Sequence, residues 1–231
     1  MPGFEILYED GPCLAVNKPP GVLTQAPPGI DSLEVRIKAF VRQRGDSAAE
    51  IYLGVPHRLD RPVSGAMVFG RDQRTTRRLA AQFETRRVRK TYWACVSGLI
   101  EPGEGTWVDH VRKIPGRPRA EIVGPEHEQG RQAILHYRTL GPAEWGSWLE
   151  IELETGRMHQ IRIQAASRGY PVLGDADYGS AVSFGPQPED VRLRAIALHA
   201  RTLAFRNPST RQDVVLTAPL PAPWASLGIA P

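Results

Sequence analysis

QAILHYRTL at residues 132–140 and SWLEIELET at 147–155 follow one another closely, and both alternate apolar with polar side chains. In the second, Leu149, Ile151 and Leu153 fall on one side and Glu150, Glu152 and Glu154 on the other. That is the two-residue period of a half-buried strand. IALHARTLAF (196–205) and DVVLTAPL (213–220) read as strands on the same ground. Earlier in the chain FEILYED, CLAVNKP, GAMVFGR, KTYWACVSG and TWVDHV add more, the first two separated by a Gly11-Pro12 turn. Helical patterns are fewer. DSLEVRIKAFVRQ offers Asp31 or Ser32 as cap, with Val35, Ile37, Phe40 and Val41 available for burial. Asp72 opens a second helix, and MHQIRIQAASRG reads as a third. So many strands with so few helices predict a mixed chain built on a largely antiparallel sheet.

The 231 residues are 41% hydrophobic and 23% charged, the composition of a globular protein that can build its own core. Cys13 and Cys95 are far apart and lack metal-ligand spacing, so they read as reduced thiols in a reducing compartment. The first residues contain no secretory signal pattern, and no run of apolar residues is long enough to span a membrane. The regions near GPEHEQG and SFGPQPED read as surface loops, which leaves one domain over residues 1–231.

The net charge of +4 is unevenly spread. RDQRTTRRLAAQFETRRVRK, residues 71–90, sets eight Arg or Lys against Asp72 and Glu84, a local +6, so the remainder sums to −2. On the predicted helix Thr76, Leu79, Ala80 and Phe83 share one face while Arg74, Arg77 and Arg78 share the other. Such a stripe, continued by Arg86, Arg87 and Lys90, is either a polyanion-facing surface or a solvated helix face.

HRLDRPVSG (57–65) places Asp60 between Arg58 and Arg61, with Pro62 and Gly65 limiting the backbone beyond. Its carboxylate is either a structural acceptor or a working acid on an irregular segment between strands. In ETGRMHQIRIQ (154–164) Met158, Ile161 and Ala165 define an apolar arc, and Arg162 falls inside it. A guanidinium leaving water needs a partner, so Arg162 faces a carboxylate or a ligand phosphate. It is then a structural ion pair or the cation that keeps a pocket acid ionised, with Asp60 a reasonable partner. Tyr92, on the strand KTYWACVSG, is core packing or a stacking platform for a base. Two rivals carry little weight. His57, Asp60 and Ser64 have the residue types of a hydrolytic triad but no GxSxG elbow, and His57, His159 and His199 form no HExxH or CxxC zinc pattern. No phosphate-binding glycine loop is present.

In order, VNKPPGV (16–22), HRLDRPVSG (57–65), RKTYWACVSG (89–98), GRMHQIRIQ (156–164), YPVLGDADYG (170–179) and LHARTLAF (198–205) resemble the RluA-type family of RNA pseudouridine synthases across nearly the whole chain. The resemblance implies an α+β catalytic domain with a long mixed, mostly antiparallel sheet, flanking helices and an RNA cleft across the sheet. It implies that Asp60 is the catalytic aspartate, that Tyr92 stacks on the target base, that Arg162 pairs with Asp60, and that Arg58 enters the space left by a flipped nucleotide. Arg61, Arg74, Arg77, Arg78, Arg86, Arg87, Lys90, Arg157 and His159 are the accompanying RNA contacts. Val63 and Met158 depart from the family pattern, each standing where Thr is common. The expected activity is isomerisation of specific uridines in ribosomal or transfer RNA, with no cofactor, no metal and no obligate protein partner, by a cytoplasmic monomer. The expected chain begins at the catalytic domain, with no separate N-terminal RNA-binding domain. The competing expectation is an RNA-binding module of the same fold without catalysis.

Overall fold

The computed structural model describes residues 3–45 and 51–229. The chain divides into two compact units, one formed by residues 1–90, 190–193 and 200–231, the other by residues 91–189 and 194–199. Among the described residues there are ten strands, three α-helices and three short 3-10 helices, and nine of the strands and all three α-helices were expected from the sequence. Most of the strand ladders are antiparallel.

In the first unit, β1 (Glu5–Asp10) and β2 (Cys13–Lys18) form a hairpin, and β2 pairs with β3 (Ser64–Gly70) in a register that sets Lys18 opposite Gly65. Every residue of β3 is buried, which fits an unbroken apolar run with no polar alternation. Helix α1 (Leu33–Gln43) starts at Ser32, whose hydroxyl accepts from Val35 N. Its buried face is Leu33, Ile37 and Val41, spaced four residues apart. Val35 was expected inward, but it lies two residues from Leu33, about 200° around the helix, and is exposed.

Helix α2 (Gln73–Glu84) is capped by Asp72, whose carboxylate accepts from Thr75 N at 2.6 Å. Leu79 enters a core with Cys13, Ala15, Ala66, Val68, Leu203 and Phe205. Phe205 belongs to β9 (Leu198–Arg206), which pairs with β10 (Asp213–Thr217). Thr76 fills the space above Gly54 and Gly70, where any added Cβ would lie within 2.5 Å of its hydroxyl.

In the second unit, β4 (Arg89–Ser97, whose first two residues belong to the first unit), β8 (Gly146–Leu153), β7 (Arg131–Ala143), β5 (Glu104–Lys113) and β6 (Ala120–Val123) pair in that order. The short β6 was not anticipated, because AEIV carries too few residues to show alternation. Helix α3 (Gln160–Ala166) is shorter than MHQIRIQAASRG suggested. His159 adopts a left-handed conformation (φ 52°, ψ 26°), which stops the helix from extending back to Met158.

Gly65 closes the Asp60 segment and has φ +121°. A Cβ there would lie 2.4 Å from the Ala200 carbonyl oxygen and 2.5 Å from its nitrogen, both on β9. Gly65→Ala is therefore expected to destabilise the protein by about 3 kcal/mol or more, because clash and backbone strain add. A urea midpoint equal to that of the unaltered protein contradicts this.

Candidate active site

The Asp60 segment has no regular secondary structure, so its backbone groups need partners from elsewhere. Lys18 supplies two of them. Its side chain has no exposed surface, and Nζ donates to the carbonyls of Val63 (2.7 Å), Pro19 (3.1 Å) and Arg61 (3.2 Å). Burial pushes the ammonium down to about 7, with the Asp60 charge pulling the other way and Arg61 adding to the depression. On the opposite side Thr24 Oγ1 donates to Leu59 O at 2.9 Å, and Gly21 N donates to Arg61 O at 2.8 Å. Val63 N donates to Asp60 O at 3.1 Å and tightens the turn.

Within this frame Asp60 is half-buried, Arg58 is exposed, and Arg61 is half-buried with Nε donating to Gly21 O at 2.9 Å. His57 fills a structural place. Its Nε2 accepts from Val68 N at 3.0 Å, and the ring stacks on Phe83 with centroids 4.3 Å apart. A backbone N–H can only donate, so Nε2 must be unprotonated and the imidazole neutral. Burial drives the ring down to about 3, and Lys90 adds to that. These contacts account for His57 without a hydrolytic triad.

The cations of the basic stripe lie at the surface. Arg74, Arg77, Arg78, Arg86 and Arg87 are exposed, Arg78 also donating to Pro208 O at 2.9 Å. Lys90 is half-buried with Nζ 5.8 Å from the Phe83 centroid, and burial lowers its pKa.

Tyr92 and Arg162 lie in the second unit. Tyr92 is buried on β4 opposite Ile151 of β8. Arg162 is 3% exposed, as its place in the apolar arc requires. It forms a fork with Asp175, Nε to Oδ2 at 2.6 Å and Nη2 to Oδ1 at 2.8 Å, and Nη2 also donates to Asp177 Oδ2 at 3.3 Å. Asp175, itself 1% exposed, was not singled out as a partner from the sequence, although YPVLGDADYG contains it.

Two glutamines set the position of α3. Gln160 Oε1 accepts from Thr155 Oγ1 and Arg157 N, while its Nε2 donates to Ile134 O. Gln164 Nε2 donates to Asp109 Oδ2 at 2.7 Å. Arg157 is exposed with Nε on Gln132 O, and His159 is half-buried with Nδ1 2.8 Å from Tyr178 Oη. No cluster of His, Cys, Asp or Glu suited to a metal ion occurs among the described residues. Nor does any described helix have the length and apolarity to cross a membrane.

A family model described as RNA pseudouridylate synthase matches residues 12–167. The chain is 34% identical over 227 residues to an uncharacterized RNA pseudouridine synthase of Synechocystis sp., covering 97% of this chain and 68% of that protein. It is 34% identical over 225 residues to ribosomal large subunit pseudouridine synthase D of Xanthomonas campestris pv. campestris, covering 94% and 66%. The chain thus spans about two thirds of the length of these relatives. Among solved structures, Human RNA Pseudouridylate Synthase Domain Containing 4 superposes with a TM-score of 0.76 at 23% identity, covering 94% of this chain and 89% of that one. That likeness establishes a shared fold.

The depressed His57 has a direct test. Its unfolded form takes up a proton between about pH 6.5 and pH 3 that the folded form refuses, so this residue withdraws stability as pH falls through that window. At pH 5 the imidazole nitrogen shifts of folded protein are expected to show His57 neutral. An imidazolium signal at pH 5 contradicts the assignment.

Proposed function

This chain belongs to the RNA pseudouridylate synthase family, in its RluA-type branch, and we propose that it isomerises specific uridines in structured RNA to pseudouridine through Asp60. The observation that carries the reading is the Asp60 turn, fixed by Lys18, Thr24 and Gly21 and set between Arg58 and Arg61. Names of relatives favour ribosomal RNA as substrate, with transfer RNA the other candidate.

The reaction breaks the N1–C1′ bond, turns the uracil, and joins C5 to C1′. C5 loses a proton and N1 gains one, so the formula is unchanged and no oxidant, reductant or ATP enters. One ionised carboxylate serves either as nucleophile at C1′ or as base at C2′, unlike the paired acids of ordinary glycosidases. In this reading Arg162 faces Asp60 and stabilises its charge. A guanidinium has five N–H donors and the Asp175 fork engages two, so a second carboxylate is compatible with that fork. Tyr92 stacks on the target base, and Arg58 takes the place the base leaves. Unstacking costs a few kcal/mol, least in loops, and phosphate contacts from the Arg74, Arg77, Arg78, Arg86, Arg87 and Lys90 stripe offset it, with Arg61, Arg157 and His159 nearer the reacting nucleotide. The protein acts as a monomer in the cytoplasm, with residues 1–231 as one catalytic domain and no cofactor.

Tritium release from RNA carrying C5-tritiated uridine reads the isomerisation itself, because forming the C5–C1′ bond expels that hydrogen. The unaltered protein is expected to release tritium and Asp60→Asn to release none. Equal release by both removes Asp60 from its role, and silence from both leaves an RNA-binding module.

Affinity for the same RNA is expected to fall linearly with the logarithm of salt concentration. Arg77→Ala should shallow the slope by about 1, the value for one phosphate contact. An unchanged slope places the stripe away from RNA.

A further inference from the structure

We infer that Tyr178 is a positioning residue, whose phenol holds the basic hairpin between β5 and β6 in register with Arg162, so that an RNA phosphate bound at Arg119 is fixed relative to Arg162. The inference rests on the reading above, in which Arg162 serves the RNA reaction.

Tyr178 is buried, in a single 3-10 turn over Ala176–Tyr178 that directly follows Asp175. Three polar neighbours surround its hydroxyl. Ala120 N donates to it at 2.9 Å, Ala120 O lies at 3.3 Å, and His159 Nδ1 lies at 2.8 Å. A phenol has one proton and two lone pairs, so it can serve all three by sharing its proton between Ala120 O and His159. Ala120 is the first residue of β6, directly after the basic loop IPGRPR (114–119), and His159 is the left-handed residue that caps α3. One oxygen therefore ties the hairpin to the helix that carries Arg162.

The ring does the same for the two cations. Arg162 sits 4.9 Å from its centroid and Arg119 5.1 Å. The fork with Asp175 balances the first charge. Arg119 differs, since its Nε is buried and has no hydrogen-bond partner among the described residues. Two guanidinium groups on one ring repel unless each meets an anion, and no carboxylate among the described residues pairs with Arg119. Buried donors are nearly always satisfied, so this one calls for an acceptor from outside the chain. A phosphodiester oxygen suits a guanidinium that is already aimed and partly desolvated. In this arrangement Tyr178 acts through Arg119 and Arg162.

The test uses the full chain, with arginine Nε–H resonances read by NMR and a uridine-containing RNA stem-loop as probe. Adding RNA is expected to shift the Arg162 Nε–H signal in the unaltered protein. Tyr178→Phe keeps the ring and both cation contacts but loses the hydroxyl. There, and in Arg119→Ala, the same RNA at saturation should leave the signal unmoved. Single-turnover rates at saturating RNA should drop about 10- to 100-fold in each variant, as small misplacements near a reacting centre do. The double variant should be no slower than the slower single one, because one chain of contacts is broken twice. Urea midpoints for both variants confirm that the fold survives. If Tyr178→Phe does not fold, Arg119→Ala carries the test, and an Arg162 signal that still responds to RNA there overturns the inference. Multiplicative rate losses, or an Arg162 signal that still responds in Tyr178→Phe, overturn the inference. An RNA that binds without moving Arg162 in the unaltered protein also overturns it while leaving the proposed activity intact. RNA that does not bind at all, judged by anisotropy, removes both.

Discussion

A lysine ammonium with no water around it is among the more costly groups a protein can bury, and the Asp60 turn depends on one. Lys18 is tolerated because three carbonyls, from Pro19, Arg61 and Val63, take its protons, and because the Asp60 charge lies near. The dependence is mutual. Without Lys18 the Arg61 carbonyl would keep Gly21 N, but the Val63 carbonyl would lose the lysine. The register of β2 against β3 puts Lys18 opposite Gly65, so strand pairing delivers the ammonium to the end of the turn it holds. Gly65 in turn lets β3 approach β9 where a Cβ would strike Ala200. One cation and one missing methyl group thus fix the C-terminal end of HRLDRPVSG.

The second unit meets the same demand with side chains. Its cation is satisfied by a carboxylate fork, and its helix is anchored by two buried glutamines whose amides reach backbone and carboxylate acceptors on the strands beneath. A fork matches the planar guanidinium as three loosely arrayed carbonyls match a rotating ammonium. Arg and Lys at these two places are not interchangeable.

Much of this was legible in the sequence, because periodicity reports which face of an element is dry. The alternation of SWLEIELET gave its strand, and the unbroken apolar run of GAMVFG gave a fully buried one. Arg162 announced itself by sitting among Ile161 and Ala165 on the helical wheel. Other features left no such mark. Val35 entered the expected core of α1 because it is apolar, though the wheel puts it opposite Leu33. Lys18 reads as an ordinary surface lysine, since only the fold brings the Arg61 and Val63 carbonyls to it. Asp175 is 13 residues from Arg162, too far for helical spacing to link them, and the pairing depends on how the turn after α3 returns. The left-handed His159 is invisible to periodicity altogether, because it belongs to a backbone choice that Gln160 and Tyr178 impose.

The two ways of holding a charged group have opposite consequences for perturbation. The contacts from Lys18, Thr24 and Gly21 grip the Asp60 turn by its backbone carbonyls, at Leu59, Arg61 and Val63, while the Asp60 charge in turn favours the Lys18 ammonium. Changing that carboxylate to an amide of the same shape removes this charge but leaves the donors and acceptors of the main-chain contacts in place, so a loss of reaction with the fold intact reports on chemistry. Arg162 is held by the side chain itself. Removing it strands the buried Asp175 without its counter-ion, at a cost of about 3–5 kcal/mol. Loss of activity on altering Arg162 therefore mixes chemistry with unfolding, whereas the Tyr178 hydroxyl can be deleted while both the ring and the ion pair stay in place. The division follows from how each group is supported: a turn clamped through its main chain can exchange a working side chain, and a helix whose cation is locked into a carboxylate fork cannot.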